Sequence, residues 1–194
     1  MSAPPMPRSS AIFAQRIASI TSRIAPSIAF PESHDTERLA ALALAKQIVE
    51  IIEGGARDPE QLVLKTQRLA ALVKAKSDIV QWLRCEMGGY HPNNPVAIKY
   101  MSYTNRWIDE AKDKGFWGPL AEVEEQVRIL EEEWLHWRTS IRTNLSRSAS
   151  EQQLREKRGR EITNYLTKMR TIRRRIYSML HILVTNTYHR LLFS

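Results

Sequence analysis

The chain has 194 residues, is 43% hydrophobic, carries a formal net charge of +8 and contains only 7 glycines. This composition argues against a disordered chain, a collagen-like repeat and a strand-dense barrel, and the one cysteine excludes an internal disulfide framework and a multi-cysteine zinc site. No window approaches the roughly 18 to 20 consecutive apolar residues that a membrane span requires, so we expect a soluble, cytoplasmic chain without a membrane partner.

An amphipathic segment near the N-terminus is the first predicted element. Apolar residues recur there at helical spacing until Pro26, namely Ile12, Phe13, Ile17, Ile20 and Ile24. Residues 1–31 also carry Arg8, Arg16 and Arg23 and no acidic residue, which is the composition of an organelle transit peptide. The residues fit both an ordinary amphipathic helix and a targeting segment.

Two helices follow with clear start and stop signals. The apolar pattern of residues 35–53 predicts a helix that ends at Gly54-Gly55, because glycine is favoured just after a helix. Asp58 is predicted to cap the next helix, because aspartate is favoured at the cap position. Pro59 follows at the first helical position, where the backbone N–H that proline lacks would have no partner within the helix. We expect this helix to end near Lys76.

The middle of the chain predicts two shorter helices around a loop. Ser77 is the predicted cap of a helix over residues 78–87 that ends at Gly88-Gly89. Residues 90–95 contain two prolines and two asparagines and form the clearest break in the chain. Residues 96–115 keep a helical interval, although the first six also alternate as a strand would, and we favour a helix throughout.

Two long helices complete the predicted fold. Residues 119–145 place apolar side chains along one stripe, and Ser148 with Glu151 forms a capping box that starts the last helix. A connection of only a few residues requires these two helices to run antiparallel. The predicted fold is therefore all-α, a helical bundle built around a long antiparallel helical hairpin, with shorter N-terminal helices packed on it.

The apolar stripe of the hairpin contains Trp134, Trp137 and Ile141. Exposed aromatic anchors of this kind are typical of a homo-oligomer or partner interface, whereas buried ones belong to an ordinary core. Both interpretations remain open from the sequence, and we expect either a protein partner or self-association.

The charge is concentrated in the last third of the chain. Residues 1–136 contain 16 Lys/Arg and 18 Asp/Glu, whereas residues 137–194 contain 13 Lys/Arg and 3 Asp/Glu, a net charge of +10. A helical projection gathers six of these basic residues away from the apolar stripe: Lys157, Arg160, Lys168, Arg170, Arg174 and Arg175. This face predicts either phosphate contacts with nucleic acid or a solvated surface that pairs with the acidic run Glu131–Glu133.

Sequence motifs for catalysis are weak or missing. The chain has no glycine-rich phosphate loop and no serine-hydrolase motif. Arg175 and His181 match the R-x(4–6)-H pattern that resembles HEPN ribonucleases, but such matches arise at about the rate expected by chance. Glu133 and His136 form half of a di-metal motif whose second half does not occur. We expect no catalytic residue, no metal and no cofactor.

The stretch from Leu62 to Tyr90 contains a distinctive tryptophan-bearing motif, formed by Trp82, Glu86, Gly89 and Tyr90. It resembles the AbiTii domain, a helical module of bacterial abortive-infection and conflict systems. The resemblance covers about residues 58–192, which predicts an AbiTii-like domain over 58–194 and a separate N-terminal helical extension over 1–57. It carries over no catalytic residue. We expect the four motif residues to be structural, with Gly89 in a left-handed conformation at the helix end.

These observations favour a non-enzymatic interaction or effector module of a bacterial antiphage defence system that acts through helix-mediated protein contacts or self-association. The first alternative is a basic helical nucleic-acid-binding protein, such as the small subunit of a larger complex. The second alternative is a HEPN-like ribonuclease toxin that uses Arg175 and His181.

Overall fold

The computed structural model describes residues 35–56, 58–143 and 148–193. The predicted N-terminal helix and the candidate transit peptide lie outside the described residues. In the described part the chain forms six α-helices and a small two-stranded sheet. The all-α prediction is therefore confirmed, and so is the prediction that shorter helices pack on a long C-terminal one.

The first two helices of the structure are α1, Asp35–Glu53, and α2, Pro59–Leu72. The Asp58 carboxylate accepts a hydrogen bond from the Gln61 backbone N–H at 2.9 Å, as expected of a capping residue. The end of α2 comes four residues before the predicted end. Lys74 adopts a positive φ of 47° while the N–H of Ala75 donates to the carbonyl of Ala70, and this pairing closes a helix.

Helix α3 spans Ser77–Gly88, close to its predicted bounds. The prediction that Ser77 caps it is wrong, because the cap position is Lys76, whose side chain makes no capping hydrogen bond, and Ser77 is the first helical residue. The extended backbone of Lys76 is sufficient to start the helix. The N–H of Ile79 donates to the Lys76 carbonyl at 3.0 Å.

Helix α4 spans Pro95–Tyr103, and the helix predicted to continue to residue 115 is wrong beyond that point. The chain instead forms the antiparallel strands β1, Trp107–Asp109, and β2, Lys114–Gly115, joined by a 3-10 turn. The physical reason lies at Asn105, which has a φ of 59° and tolerates this left-handed conformation better than most residues. The N–H of Arg106 then donates to the Met101 carbonyl at 2.8 Å and ends the helix.

The long hairpin consists of α5, Leu120–Thr143, and α6, Ala149–Phe193. At 45 residues, α6 is about 67 Å long. Its first half packs on α5 and its second half on α1, where the Arg38 side chain donates to the Leu191 carbonyl at 2.9 Å. Because α1 packs on both α6 and α2, it belongs to the same bundle. The domain boundary at residue 57 stays a prediction.

The core lies between α6 and the shorter helices. Its largest fully buried apolar side chains come from every helix: Ile48, Leu62, Leu69, Trp82, Leu83, Met101, Leu120, Met169, Ile172, Ile176 and Leu180. Within the described ranges, none of the helices combines the length and the apolar character needed to cross a membrane.

Candidate functional site

Three residues of the tryptophan-bearing motif, Trp82, Glu86 and Tyr90, form a buried polar cluster with Arg106, here called the Glu86 cluster. Glu86 lies on α3 one turn after Trp82, so these two side chains point to the same side of the helix, and the turn at Gly89 places Tyr90 against the same carboxylate. One carboxylate oxygen, Oε1, accepts a hydrogen bond from the Trp82 indole N–H at 2.9 Å and another from the Tyr90 hydroxyl. The other, Oε2, accepts from Nη2 of Arg106 at 2.6 Å, and the side chains of Glu86 and Arg106 are both 0% exposed.

Arg106 connects this cluster to the start of α5. Its Nη1 donates to the Gly118 carbonyl at 2.7 Å, just before α5 begins, and its guanidinium lies 4.4 Å from the centre of the Tyr90 ring. Its Nε is buried with no hydrogen-bond partner among the described residues. Arg106 therefore joins α3 to the segment that leads into α5.

Gly89 and Trp82 complete the packing around the cluster. Gly89 has a φ of 89°, so its positive φ is as predicted, but a ψ of 169° makes it extended rather than left-handed helical. A side-chain carbon there would lie 3.2 Å from the Trp117 carbonyl oxygen, which accepts a hydrogen bond from the Tyr90 N–H at 2.7 Å. The Trp82 ring stacks on Tyr100 with centroids 5.2 Å apart. The motif thus joins α3, α4 and the start of α5 from inside.

The electrostatics of the cluster follow from its burial. Burial and the neighbouring Glu86 charge raise the pKa of Tyr90 well above its ordinary value, and the positive charge of Arg106 only partly opposes them. Burial and the Glu86 charge also raise the pKa of Cys85. A neutral tyrosine, a neutral thiol and an ion pair without solvent access are suited to hold the fold together.

The sequence did not identify Arg106 as a member of the cluster. A glutamate among apolar neighbours on a helix face does signal that a cation must accompany it, since an unpaired buried carboxylate is very costly. The chain has 29 lysines and arginines, however, and no spacing rule connects Glu86 to a residue 20 positions later. The turn at Asn105 decides that Arg106 is the cation that pairs with Glu86.

Charged residues on the flank of α6 pair with α5. Arg158 contacts Glu133 at 2.5 Å, Arg170 contacts Glu131 at 2.7 Å and Arg173 contacts Glu124 at 3.3 Å. Of the predicted basic face, Arg170 is thus paired with the acidic run, one of the two interpretations offered by the sequence.

Two more of the predicted basic residues contact backbone carbonyls at the end of α4 and in strand β1. Lys168 donates to the Trp107 carbonyl at 2.7 Å, and Nη1 of Arg175 lies 3.5 Å from the carbonyl of Tyr103, the last residue of α4. A cation is favourable at the C-terminal end of a helix. Burial and the nearby Arg175 charge lower the pKa of Lys168. These contacts stabilise the end of α4 against α6.

The other three predicted basic residues, Lys157, Arg160 and Arg174, are exposed on α6. No ion pair joins any of them to another residue in the part of the chain that the structure describes. The six residues predicted as one face therefore divide into three that contact other helices or loops and three that face solvent.

Arg175 and His181, the ribonuclease candidates, contact different neighbours. His181 Nε2 lies 3.4 Å from the Glu53 carboxylate at the end of α1, whereas Arg175 reaches the end of α4. Six residues on a helix place the two side chains about 120° apart around the axis. The described residues hold no cluster of three or more His, Cys, Asp or Glu side chains that could bind a metal ion.

The predicted interface seam lies at the far end of the hairpin. The Trp137 indole N–H donates to the Arg155 carbonyl at 3.2 Å, and its ring covers Gly159 of α6. Trp134 is half-buried, with the Arg138 guanidinium 5.0 Å from its ring centre. The side chain of Ile141 lies outside the described residues. Trp137 is thus used for packing of α5 on α6, while the role of the seam as an interface stays a prediction.

Comparison with known proteins identifies one family. A family model described as AbiTii matches residues 43–186, from within α1 to near the end of α6. No curated protein and no solved structure matches the chain.

Proposed function

The chain belongs to the AbiTii family, which gives it an abortive-infection-related role, and on this premise we propose that it is a non-enzymatic interaction module of a bacterial antiphage system that acts by self-association. The cytoplasm is its proposed place of action. The observation that supports self-association is a solvent-exposed arm at the far end of the α5–α6 hairpin, whose surface is complementary to itself.

The arm comprises residues 131–140 of α5 and 149–165 of α6. Among the described residues the buried hydrophobic core includes α5 as far as Leu130 and α6 from Leu166 onward, and the half-buried Trp134 packs against its edge. Beyond these points the two helices pack on each other, through the Trp137 contact with Gly159 and the ion pair of Glu133 with Arg158. A two-helix extension that lies outside the core presents its other sides to a partner.

One side of the arm carries two exposed apolar residues on α6. Leu154 is 69% exposed and Tyr165 is 38% exposed. They are eleven residues apart, about three turns, so they project from the same side of the helix. Arg158 and Glu161 lie between them on that side and are also exposed. We call these four residues the arm stripe.

The arm stripe is symmetric about its midpoint. A two-fold axis between residues 159 and 160 would place two α6 helices antiparallel, because a closed dimer uses the same patch on both copies. In that register Leu154 of one copy faces Tyr165 of the other, and Arg158 faces Glu161. Both apolar residues then face an apolar partner, and Arg158, which already pairs with Glu133 and lies near Glu161 of its own chain, also faces a glutamate of the other copy. The partner that we propose for the arm stripe is therefore a second copy of this chain.

The test is the solution mass by light scattering of the wild-type protein and two variants. Leu154→Asp places a charge against Tyr165 twice in each dimer, so we expect a monomer at concentrations where the wild type is a dimer. Leu64→Asp is the matched control, since Leu64 is 56% exposed but lies on α2, and it should remain a dimer. A monomeric wild type, or a Leu154→Asp variant that dimerises like the wild type, would overturn the proposal.

The register has its own test by cross-linking with a short bismaleimide. The one native cysteine, Cys85, is buried, so an introduced cysteine is the reactive one. A mixture of Leu154→Cys and Tyr165→Cys proteins should form cross-linked heterodimers, while each variant alone should not. Cross-linking of Leu154→Cys with itself at equal yield would contradict the antiparallel register.

A further inference from the structure

The outward face of α6 carries an unneutralised row of polar and basic side chains, here called the outer stripe. Its members recur at intervals of three or four residues, so they lie along one side of the helix. They are Lys157, Arg160, Asn164, Thr167, Thr171, Arg174 and Ser178. Six of the seven are exposed and Thr171 is half-buried. From Lys157 to Arg174 the outer stripe extends about 26 Å.

The charge of this face follows from where the acidic residues lie. Helix α6 contains ten Lys/Arg and only three acidic residues, and no acidic residue follows Glu161 in the chain. The glutamates of α5 pair with Arg158, Arg170 and Arg173 on the flank that faces α5. Because a helix with its side chains is about 10 Å across, glutamates on α5 do not reach the opposite side of α6. On α6 itself, Glu156 and Glu161 lie four residues from Arg160 and Lys157, but in the described part of the chain neither forms an ion pair with them, and Glu161 lies near Arg158 instead. Lys157, Arg160 and Arg174 therefore keep their ammonium and guanidinium groups available in solvent.

The residue types between the charges indicate the class of ligand. Protein interfaces are held by buried aromatic and large apolar anchors, and the outer stripe has none. Nucleic-acid backbones are contacted by Arg and Lys together with Ser, Thr and Asn, and the outer stripe consists of these types alone. Without aromatic side chains for stacking or a helix end directed at base edges, contacts here would follow the phosphates and carry no sequence preference.

We propose that the outer stripe of α6 binds the phosphodiester backbone of nucleic acid through Lys157, Arg160 and Arg174, without sequence specificity. Arg160 and Tyr165 project about 140° apart around α6, whereas Lys157 lies three residues from Leu154 and four from Glu161, so the outer stripe and the arm stripe adjoin at Lys157. Replacing Arg160 and Arg174 therefore separates nucleic-acid binding from self-association through the arm.

The experiment is fluorescence polarisation with a labelled 20-base-pair DNA duplex, titrated with the purified full chain at several salt concentrations. Three phosphate contacts predict a slope of about −2.7 for the logarithm of the binding constant against the logarithm of salt concentration. This slope corresponds to a loss of affinity of about 40-fold between 50 and 200 mM salt. A wild-type protein that shows no salt-dependent binding would overturn the proposal.

Charge-removal variants locate the site. Replacing Lys157, Arg160 and Arg174 by Gln should reduce the affinity at least tenfold and flatten the salt slope. Replacing the equally exposed Arg68, Lys76 and Arg84 by Gln removes the same total charge from α2, the cap of α3 and α3, and should change the affinity less than twofold.

Two further measurements distinguish phosphate contacts at the outer stripe from a general effect of net charge and from binding of an acidic protein. Arg160→Lys with Arg174→Lys keeps the charge and should keep the salt slope, because phosphate contacts here depend on charge. Equal losses in the two Gln triple variants would mean that only the net charge matters, and would overturn the site. Polyglutamate that displaces the duplex as effectively as unlabelled DNA would identify an acidic protein as the ligand instead and would also overturn it.

Discussion

The Glu86–Arg106 ion pair is the interaction whose loss should destabilise this fold most, and Glu86→Gln tests it. In the variant the amide oxygen can still accept from the Trp82 indole and the Tyr90 hydroxyl. The amide NH2 group, however, would face the Arg106 guanidinium, so a buried cation would lose its anion. Breaking one side of a buried ion pair costs about 3–5 kcal/mol. Both side chains are 0% exposed and 2.6 Å apart, so little of this cost is recovered from water.

The assay is equilibrium unfolding in guanidinium chloride, followed by helical circular dichroism. For a chain of this size the unfolding free energy changes by about 4 kcal/mol per molar denaturant, so the midpoint should fall by about 1 M. Glu125→Gln is the control, because Glu125 pairs with Arg128 on the exposed side of α5, and its midpoint should equal that of the wild type.

A double-mutant cycle separates the ion pair from the packing. Arg106→Met alone leaves the Glu86 carboxylate buried without a cation and should cost a similar amount. The Glu86→Gln, Arg106→Met double variant has no buried charge, so its destabilisation should be smaller than the sum of the two single effects by about 2 kcal/mol. Single variants within 1 kcal/mol of the wild type, or strictly additive effects, would refute the assignment of this pair as a coupled unit.

Two further predictions concern packing and reactivity. Gly159→Ala should lower the unfolding free energy by about 1–3 kcal/mol despite alanine's higher helix propensity, because its side-chain carbon would lie 2.0 Å from the Trp137 ring. Gly88→Ala is the control, since nothing lies within 4 Å of the added carbon, and it should leave the unfolding free energy unchanged or raise it. An equal response of both variants in denaturant unfolding would contradict this prediction. Because burial and the Glu86 charge raise the pKa of Cys85, its reaction with a thiol reagent at pH 8 should be much slower in the native protein than in the unfolded chain. The native rate should increase only at higher pH. Equal rates in the native and unfolded states would show that the thiol is exposed.

The helices themselves were largely determined by local sequence. Apolar spacing and Asp58 as a cap act over three or four residues, so the predicted helices agree with α1, α2, α5 and α6 within a few positions. The AbiTii motif was also visible in the sequence, because its residues lie within nine positions on one helix and the turn after it. The sequence offered pairing with the acidic run as one of two interpretations of the basic face, and of the six predicted residues Arg170 makes such a pair.

The largest error, the helix predicted to continue to residue 115, arises where a long-range contact acts together with a local turn. Residues 104–115 keep a helical interval, yet the chain leaves the helix at Asn105 and Arg106 turns inward, because the buried Glu86 carboxylate requires a cation. The sequence neighbours of Glu86 and of Arg106 do not indicate that these two residues pair.

The sequence by itself therefore determined the all-α architecture, the antiparallel hairpin and the excess of positive charge on its last helix, since each depends on periodicity, capping or composition within a short stretch. Only the tertiary structure decided which arginine neutralises Glu86 and which of the six basic residues remain in solvent. Those outcomes depend on distances between residues remote in the chain. Hydrogen bonds form only at about 3 Å and oppositely charged side chains attract most strongly in contact, so the packing of the helices selects the partners.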